Sequence, residues 1–195
     1  MVPNKSLNTT LNVNAHDELA KLKKISDLDN TVSVNIGELV ISSADTSHVK
    51  EIAELWANLA AVQQLIAPER YSFKLEEKNW QSFVSKKLSK KNNLLLVAHN
   101  KDDNELRGFL YLQSITIPSS DLLLKAVIED VYTKPQYRKQ GIALKLLDVA
   151  VNWAYSQNIK QIDFVSLSKL KSSLNLYEKF TKSLDKSLNF ELVII

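Results

Sequence analysis

This chain of 195 residues contains no cysteine, three histidines and three glycines. The absence of cysteine excludes disulfides, thiolate catalysis and metal sites with cysteine ligands. The histidines, His16, His48 and His99, are far apart and share no metal-ligand spacing, so the sequence predicts no metal site. G-x-S-x-G and G-x-x-x-x-G-K-[ST] segments are also missing, which disfavours a serine hydrolase of the elbow type and a P-loop protein.

Long apolar runs are missing as well. None approaches the length needed to cross a bilayer, and the first residues, MVPNKSLNTTLNVN, lack the apolar core of a signal peptide. We therefore expect a cytoplasmic protein without a membrane partner. The net charge of +3 suits small anionic ligands, and too few aromatic residues interleave with the lysines to predict nucleic-acid binding.

The composition is that of one ordinary globular domain, with 45% apolar and 24% charged residues. Residues 1–30 are polar, rich in Asn, Ser and Lys, and without sustained periodicity, so we expect an N-terminal tail. Residues 31–195 carry the periodic apolar patterns and are expected to form the domain.

Alternating and helical apolar patterns follow one another along residues 31–195. Strands are predicted at Val32–Ser42, in a hairpin over residues 94–117, and at Leu124–Thr133, Ile162–Leu167 and Asn189–Ile195; helices are predicted over 43–64, Glu76–Leu88, Ile142–Tyr155 and Ser172–Phe180. The order predicts an α/β protein with a mixed sheet and helices on its faces. The strand–helix–strand unit around residues 124–167 should pair in parallel.

The segment EDVYTKPQYRKQGIALKLL, residues 129–147, joins a predicted strand to a predicted helix. Pro135 marks the end of the strand, and Arg138 and Lys139 precede Gly141 at the start of the helix. A helix N-terminus presents unpaired N–H groups that attract anions, and small residues allow a ligand to approach the backbone. The segment therefore indicates a phosphate or pyrophosphate site; the alternative is a turn with a solvated basic face.

This context resembles the GNAT superfamily of N-acetyltransferases. The run RKQGIA matches the acetyl-CoA motif [Q/R]-x-x-G-x-[G/A] of that superfamily through Arg138, Gly141 and Ala143. Upstream, VISSADTSHVKEIAELW is similar to the opening strand and helix of its members, and downstream LNLYEKF is similar to their L-Y-E-K segment. The order of elements agrees over about residues 31–180.

The resemblance implies a GNAT acyl-CoA N-acyltransferase fold, with a central mixed β-sheet and helices on both faces. It also implies acetyl-CoA as co-substrate and direct transfer to an amine, for which no metal is required. The pantetheine arm would bind the strand edge at Val131, Tyr132 and Thr133, opposite Ile162–Leu167. The pyrophosphate would bind the N–H groups of Arg138, Lys139, Gln140, Gly141, Ile142 and Ala143.

Two adjacent carboxylates, Glu129 and Asp130, interrupt the predicted core strand. Strand alternation predicts that they point to opposite faces. Each would then be paired with a cation such as Arg107 or Lys125, lie at a partly exposed end of the strand, or act as a general base for an ammonium group. The segment IEDVYT resembles that of diamine acetyltransferases, which assigns Glu129 as the base; Asp130 and a water-mediated transfer stay open.

Tyr177 matches the acid of the family through the L-Y-E-K segment, and it is equally well explained as a core aromatic on a short helix. Its pKa of about 10 in the unperturbed state favours hydrogen-bond stabilisation of the leaving thiolate over full proton transfer. The chain departs from the family in having Leu170 where Asn is frequent, and Phe180 and Thr181 where Gly-Phe is frequent.

These inferences predict an N-acetyltransferase that moves an acetyl group from acetyl-CoA to a primary amine of a small molecule or peptide. The alternative is a module that keeps the fold and serves acyl-CoA binding or protein interaction without catalysis. Glu69, Glu76 and Glu77 lie where acceptor recognition is expected and would suit a cationic amine, although exposed charges on a helix are commonly solvated. The acceptor, and whether the chain is a monomer or a homodimer, stay open.

Overall fold

The computed structural model describes residues 28–71, 77–117, 124–183 and 189–195. Within them, seven strands form one sheet in the order β1 to β7. The strands are β1 (Ser33–Ile36), β2 (Leu39–Ser43), β3 (Asn93–Asn100), β4 (Leu106–Thr116), β5 (Leu124–Thr133), β6 (Gln161–Ser166) and β7 (Asn189–Ile194). The helices are α1 (Val49–Ile66), α2 (Glu77–Leu88), α3 (Ile142–Ser156) and α4 (Lys171–Thr181).

The sheet is mixed, as expected. Strands β1 to β5 pair antiparallel, whereas β5 with β6 and β6 with β7 pair in parallel. The parallel pairs need crossover helices, and α3 and α4 provide them. None of the helices within the described ranges is both long and apolar enough to cross a bilayer.

Apolar side chains alternate across the sheet and build a core on each face. Along β4, Leu110 and Leu112 pack on the α3 and α4 side, whereas Phe109 and Tyr111 pack on the α1 and α2 side. All four side chains are fully buried, which is the two-sided pattern of a central strand. Helices therefore cover both faces, in agreement with the sequence-based prediction.

One strand was predicted wrongly. Val32–Ser42 is not a single strand but the antiparallel hairpin of β1 and β2, in which Ser33 faces Ser42. The chain reverses at Gly37, whose φ of 62° is in the left-handed region. Apolar residues continue on both sides of this short turn, so the periodicity alone did not reveal it.

Most of the predicted polar tail, residues 1–27, lies outside the described residues. Its last residues contact the domain: Leu28 is buried, and the indole Nε1–H of Trp153 donates to the carbonyl oxygen of Asp29 at 2.6 Å. The side-chain amide of Asn30 donates to the carbonyl oxygen of Asn93 at 2.8 Å. These bonds join residues 28–30 to the C-terminal end of α3 and the start of β3.

Gly108 allows β4 to approach the end of β5 closely. A Cβ atom at this position would lie 2.5 Å from the carbonyl oxygen of Tyr132 and 3.3 Å from the Cα atom of Thr133. Both neighbours are backbone atoms, so a side chain at position 108 would force the strands apart. The same strand end lines the site described below.

We expect Gly108→Ala to lower the free energy of unfolding by about 1–3 kcal/mol, because the backbone of β5 must move to admit the methyl group. Urea unfolding followed by tryptophan fluorescence measures this change. Val34→Ala, at an exposed position of β1, is the control and should change stability by less than about 0.5 kcal/mol. Equal midpoints for Gly108→Ala and the wild type would contradict the assignment of a close backbone contact.

Candidate functional site

The parallel strands β5 and β6 separate before β5 ends. Their pairing runs from Lys125 opposite Gln161 to Ile128 opposite Phe164, and β5 continues for five residues beyond that point. A cavity of about 520 Å³ opens there. Six residues from the separated strand ends line it: Glu129, Asp130, Val131, Val165, Ser166 and Leu167.

The edge of β5 beyond Ile128 has main-chain groups that β6 does not use. The N–H of Lys134 donates to the carbonyl oxygen of Arg107 at 2.9 Å, so Lys134 points its main chain toward β4. Backbone N–H and carbonyl groups of successive residues point to alternate sides of a strand. The N–H and carbonyl groups of Tyr132 therefore also point to β4, and those of Val131 and Thr133 point to the gap. The gap therefore offers a short ladder of donors and acceptors to an extended, amide-bearing ligand.

A β-bulge places Glu129 and Asp130 on the same side of the sheet. In the register with β4, Tyr111 faces Asp130 and Leu112 faces Ile128, so Glu129 is the extra residue. The prediction that the two carboxylates point to opposite faces was wrong, because a bulge interrupts strict alternation. Both side chains line the cavity on the side of α1 and α2.

Asp130 is partly buried and is held by hydrogen bonds to both carboxylate oxygens. The indole Nε1–H of Trp56 donates to Oδ2 at 3.0 Å, and the amide of Gln63 donates to Oδ1 at 3.4 Å. Burial raises the pKa of Asp130 to about 6, with a further upward contribution from Glu129; the hydrogen bond from Trp56 opposes the shift. Asp130 is therefore a fixed carboxylate that changes charge near neutral pH.

The carboxylate of Glu129, unlike that of Asp130, is not fixed by hydrogen bonds from the described residues. No group among the described residues donates a hydrogen bond to its carboxylate, and burial raises its pKa while the positive charge of Lys87 opposes the shift. A carboxylate that is half-buried, has a raised pKa and is free to accept a proton has the properties of a general base. Neither Arg107 nor Lys125 pairs with either carboxylate, since these cations pair with Asp103 and Asp163.

Lys87 lies outside the cavity lining and acts on both carboxylates through its positive charge. Its Nζ donates to the hydroxyl of Tyr111 at 3.0 Å and lies 4.4 Å from the centre of that ring. The same hydroxyl donates to Oδ1 of Asn93 at 3.1 Å. Burial first, and then the charges of Glu129 and Asp130, raise the pKa of Tyr111, which stays neutral. Lys87 is thus the nearby cation that partly balances the two acids.

Tyr177 enters the cavity from α4, on the other side of the gap. Its ring packs on Phe164 with centroids 5.1 Å apart, and only 3% of the residue is exposed. Burial, with a smaller contribution from the charge of Asp130, raises the pKa of its hydroxyl. Tyr177 is therefore both a core aromatic and a neutral hydrogen-bond donor at the cavity wall. Leu170 also lines this side.

The turn before α3 has backbone N–H groups without partners. Lys139 and Gly141 have φ angles of 63° and 80°, and the first N–H that bonds into the helix is that of Lys145, to the carbonyl oxygen of Gly141. Within the described part of the chain, no acceptor meets the N–H groups of residues 139–144. Left-handed residues in such a turn produce a concave row of donors, which binds anions.

Side chains around this turn leave the donors accessible. Arg138, Lys139 and Gln140 are exposed, whereas the side chain of Ile142 is buried in the core, so only its main chain is available. Arg138 Nε donates to the carbonyl oxygen of Thr133 at 3.1 Å, which holds the guanidinium beside the end of β5. The turn, the free strand edge and the cavity therefore follow one another at the carboxyl end of β5, where open α/β sheets bind ligands.

A model of the acetyltransferase (GNAT) family matches residues 56–181, which is more than half of the chain and includes the gap, the turn and Tyr177. The chain belongs to the GNAT acetyltransferase family. As a member it is an acyltransferase, and acetyl-CoA is the co-substrate of the family. No curated protein matches this GNAT chain.

Solved structures share the fold. A probable acetyltransferase is 19% identical with a TM-score of 0.61, and the alignment covers 76% of this chain and 93% of that protein. A ribosomal-protein-alanine N-acetyltransferase from Brucella melitensis biovar Abortus 2308 is 21% identical, with a TM-score of 0.59 and coverage of 75% and 94%. An aminoglycoside acetyltransferase from an uncultured soil metagenomic sample is 17% identical, with a TM-score of 0.60 and coverage of 76% and 91%.

The structure brings most of the predicted site residues of this GNAT domain to one end of the sheet. Glu129 and Tyr177 share the cavity, Val131 and Thr133 face the gap, and residues 138–143 form the turn beside it. Two residues differ from the prediction: the main chain of Tyr132 points to β4, and the N–H of Arg138 donates to the carbonyl oxygen of Pro135 at 3.3 Å, so this N–H is not free for a pyrophosphate. Glu69 is exposed and pairs with Lys169 at 3.8 Å; Glu76 and the side chain of Glu77 lie outside what the structure describes.

Sequence reasoning missed the partners of the carboxylates. In the sequence, Trp56 falls within the apolar periodicity of α1, and Lys87 falls within the lysine-rich run SKKLSKK. Only the packing of α1 and α2 on β5 shows that both act on the acids. For the described residues, no group of three His, Asp or Glu side chains has the arrangement of a metal site.

The raised pKa of Asp130 has a consequence for stability. A carboxyl whose folded-state pKa is raised from 3.8 to about 6 stabilises the fold below pH 4 relative to pH 7, and this advantage is lost between about pH 4 and 6. We expect the free energy of unfolding of the wild type to fall by about 1–3 kcal/mol more than that of Asp130→Asn when the pH rises through this interval. Urea unfolding at pH 4 and pH 7 measures the difference.

Asp148→Asn removes an exposed carboxylate from α3 and is the control, which should follow the wild type at both pH values. If Asp130→Asn and the wild type lose the same free energy between pH 4 and pH 7, Asp130 does not have a raised pKa.

Proposed function

We propose that this GNAT enzyme transfers the acetyl group of acetyl-CoA to a primary amine of a small molecule or peptide by direct attack. The observation that carries the proposal is the opening between β5 and β6, into which Glu129 and Tyr177 both project. The nitrogen–carbon bond of the amide forms and the carbon–sulfur bond of the thioester breaks. An ammonium acceptor loses two protons, one before the attack and one as the amide forms; the leaving thiolate takes up one proton and the other is released to solvent. The chain would supply a general base for the amine, a hydrogen-bond donor for the leaving sulfur and a strand edge that binds the pantetheine arm.

The binding of acetyl-CoA is supported by the turn and the strand edge. The N–H groups of residues 139–144, which have no acceptor among the described residues, would donate hydrogen bonds to the pyrophosphate oxygens, and Arg138 and Lys139 would add positive charge. The N–H and carbonyl groups of Val131 and the N–H of Thr133 would pair with the amides of the pantetheine arm, in the manner of an added strand, whereas the carbonyl oxygen of Thr133 already accepts from Arg138. An N–H of the β5 edge would also polarise the thioester carbonyl, which places the reacting carbon in the gap.

Glu129 is proposed as the base that takes the proton of the incoming ammonium, directly or through a water. An alkyl ammonium has a pKa of about 10.4 and cannot attack before it loses a proton. Glu129 has no described donor on its carboxylate, whereas Asp130 is held through both oxygens by Trp56 and Gln63. This contrast supports Glu129 as the proton acceptor and Asp130 as a fixed charge that attracts the ammonium.

Tyr177 is proposed as the hydrogen-bond donor to the leaving sulfur. Its raised pKa keeps the hydroxyl protonated, so it would stabilise the thiolate by a hydrogen bond while solvent supplies the proton. Its packing on Phe164 fixes the direction of the ring. The alternative, a module that binds acyl-CoA without catalysis, shares the turn and the gap and differs only in lacking turnover.

The first test concerns the turn. We expect acetyl-CoA to bind with saturation and to bind more weakly at high salt, because screening reduces the attraction between the phosphates and the turn. Gly141→Val should lower the affinity at least about tenfold, since a β-branched residue at a φ of 80° distorts the row of N–H donors. Calorimetric titration at two salt concentrations measures both effects.

Asn158→Val is the matched control, because Asn158 also has a positive φ and is exposed, but at the opposite end of α3. It should share the strain and keep the affinity for acetyl-CoA. Equal affinities of Gly141→Val and the wild type would refute the assignment of the turn to the pyrophosphate. Absence of acetyl-CoA binding by the wild type would refute the proposed function.

The second test concerns the base. Glu129→Gln should lower kcat/KM by about 10²–10⁴, because the ammonium loses its proton acceptor. The rise of kcat/KM with pH that reports ionisation of Glu129 should disappear, since glutamine does not titrate. Rates of CoA release with a panel of amines, peptides and aminoglycosides measure both quantities.

Asp148→Asn, which changes only an exposed charge on α3, should keep the wild-type rate and pH profile. A wild-type pH profile in Glu129→Gln would show that Asp130 or a water carries the proton. Binding of acetyl-CoA without turnover on any member of the panel would favour the non-catalytic module.

A further inference from the structure

The segment that leads from β5 to the turn before α3, residues 134–138, is held by one carboxylate just before β4. Lys134 Nζ donates to Oε1 of Glu105 at 2.8 Å, and the hydroxyl of Tyr137 donates to Oε2 of the same carboxylate. These hydrogen bonds, that of Lys134 first, lower the pKa of Glu105, so the carboxylate is ionised at neutral pH. Both oxygens of Glu105 are therefore used by residues 29 and 32 positions further along the chain.

Tyr137 is fixed at its ring as well as at its hydroxyl. The guanidinium carbon of Arg107 lies 4.7 Å from the centre of the ring, and Asp103 pairs with that guanidinium at 3.5 Å. The ring also packs against the apolar core on the α3 side of the sheet. In the main chain, the N–H of Lys134 donates to the carbonyl oxygen of Arg107 at 2.9 Å. The start of β4 therefore holds the segment 134–138 through both side chains and main chain.

The turn before α3 has few contacts of its own. Apart from its chain neighbours, no described atom lies within 4 Å of the position that a Cβ of Gly141 would take. The side-chain amide of Gln140 donates to the carbonyl oxygen of Gln136 at 3.4 Å, which joins the turn to the segment 134–138. Between that segment and α3, residues 139–141 make no further hydrogen bond to the described chain. The direction of their N–H groups therefore depends on the segment before them.

By its charge alone, Glu105 would weaken the binding of an anion at this turn, because like charges repel. Its ion pair with Lys134 is partly exposed, with 37% of the Glu105 side chain accessible to solvent. Such surface pairs contribute little to the stability of a fold. Attraction of a pyrophosphate and stability of the domain therefore both fail to explain the carboxylate, whereas its hold on Tyr137 and Lys134 explains it.

We propose that Glu105 is a positioning residue for acetyl-CoA, which acts through Tyr137 and Lys134 to hold the turn before α3 in the conformation that binds the pyrophosphate. The inference rests on the proposed function and adds to it a residue from outside the turn. A turn held in place before the ligand arrives loses less conformational entropy on binding. The charge of Glu105 and its positioning role act on affinity in opposite directions, so removal of the carboxylate separates them.

The direct test is calorimetric titration of the full-length protein with acetyl-CoA. Glu105→Ala should lower the affinity about tenfold, because the N–H donors of the turn are no longer held in place. If the carboxylate acted only by repulsion, Glu105→Ala would instead bind acetyl-CoA more tightly than the wild type. Equal or tighter binding by Glu105→Ala would overturn the proposal.

Two further variants separate positioning from charge and from general damage. Glu105→Gln keeps an oxygen that can accept from Tyr137 and should bind acetyl-CoA within about threefold of the wild type. Failure of Glu105→Gln to recover any affinity relative to Glu105→Ala would assign the loss to a disturbed start of β4 and overturn the proposal. Glu38→Gln is the control, because Glu38 is exposed and lines a small cavity with Gln140 without a described bond to the turn. It should not weaken binding.

The role of Tyr137 is tested by removal of its hydroxyl. Tyr137→Phe should lower the affinity for acetyl-CoA by about threefold or more, whereas Tyr155→Phe, at an exposed position of α3, should not. In Glu105→Ala the hydroxyl has already lost its partner, so Tyr137→Phe should add little to the loss. Fully additive losses in the double variant would show that Glu105 does not act through Tyr137.

Kinetics separate cofactor binding from the chemical step. With an acceptor that is acetylated, Glu105→Ala should raise the KM for acetyl-CoA about tenfold and change kcat by less than about twofold. The reason is that Glu129 and Tyr177, which line the cavity, are not altered. A lower kcat with an unchanged KM for acetyl-CoA would show damage to the cavity and overturn the proposal.

Hydrogen exchange distinguishes a failure of this inference from a failure of the proposed function. The N–H groups of Lys134, Tyr137 and Arg138 are bonded in the native fold. In the free protein, Glu105→Ala should speed their exchange at least about tenfold, measured by NMR, and leave that of Lys145 in α3 unchanged. Unchanged exchange would overturn the inference whether or not acetyl-CoA binds.

The combined outcomes are then distinct. If the wild type and Glu105→Ala bind acetyl-CoA equally well, the proposed function stands and the positioning role of Glu105 is wrong. If exchange rises in Glu105→Ala and the wild type does not bind acetyl-CoA, Glu105 holds the turn, and the proposed function is wrong together with the role of Glu105 in acetyl-CoA binding.

Discussion

The early end of pairing between β5 and β6 is the constraint on which the site depends. Beyond Ile128 and Phe164 the two strands diverge, and the free edge of β5 faces the resulting gap. The bulge at Glu129 adds one residue at the same point, which turns two consecutive carboxylates toward one side. The gap and the bulge together give an otherwise apolar strand an end at which Glu129, Asp130 and Val131 line a cavity.

Two adjacent carboxylates in a mostly apolar cavity lose hydration and repel each other, which lowers the stability of the folded state. Their surroundings reduce this loss. Asp130 is satisfied by Trp56 and Gln63, and Lys87 offsets part of the combined charge. Glu129 keeps a carboxylate that no described donor meets. The two acids therefore differ in their surroundings: Asp130 is fixed by hydrogen bonds, whereas Glu129 is free to exchange a proton. Such a difference is expected where two titratable groups have different roles.

Backbone geometry at two glycines connects the cavity to the turn. Gly108 lets β4 hold the end of β5 at close range, since any Cβ would meet the carbonyl oxygen of Tyr132. Gly141 takes a left-handed conformation directly before α3, and the N–H groups of the turn at residues 139–144 have no acceptor in the part of the chain that the structure describes. In a chain with only three glycines, two of them therefore shape the site: Gly108 holds the end of β5, and Gly141 forms the turn before α3.

The sequence by itself determined most of the elements, the turn before α3 and the presence of two acids at the end of β5, because these follow from local periodicity and helix-start chemistry. The reversal at Gly37 was missed, since apolar residues continue on both sides of it. Only the tertiary structure decided the direction of Glu129 and the partners of Asp130. A bulge depends on the register between strands, and the contacts of Trp56 and Lys87 depend on how α1 and α2 pack on the sheet.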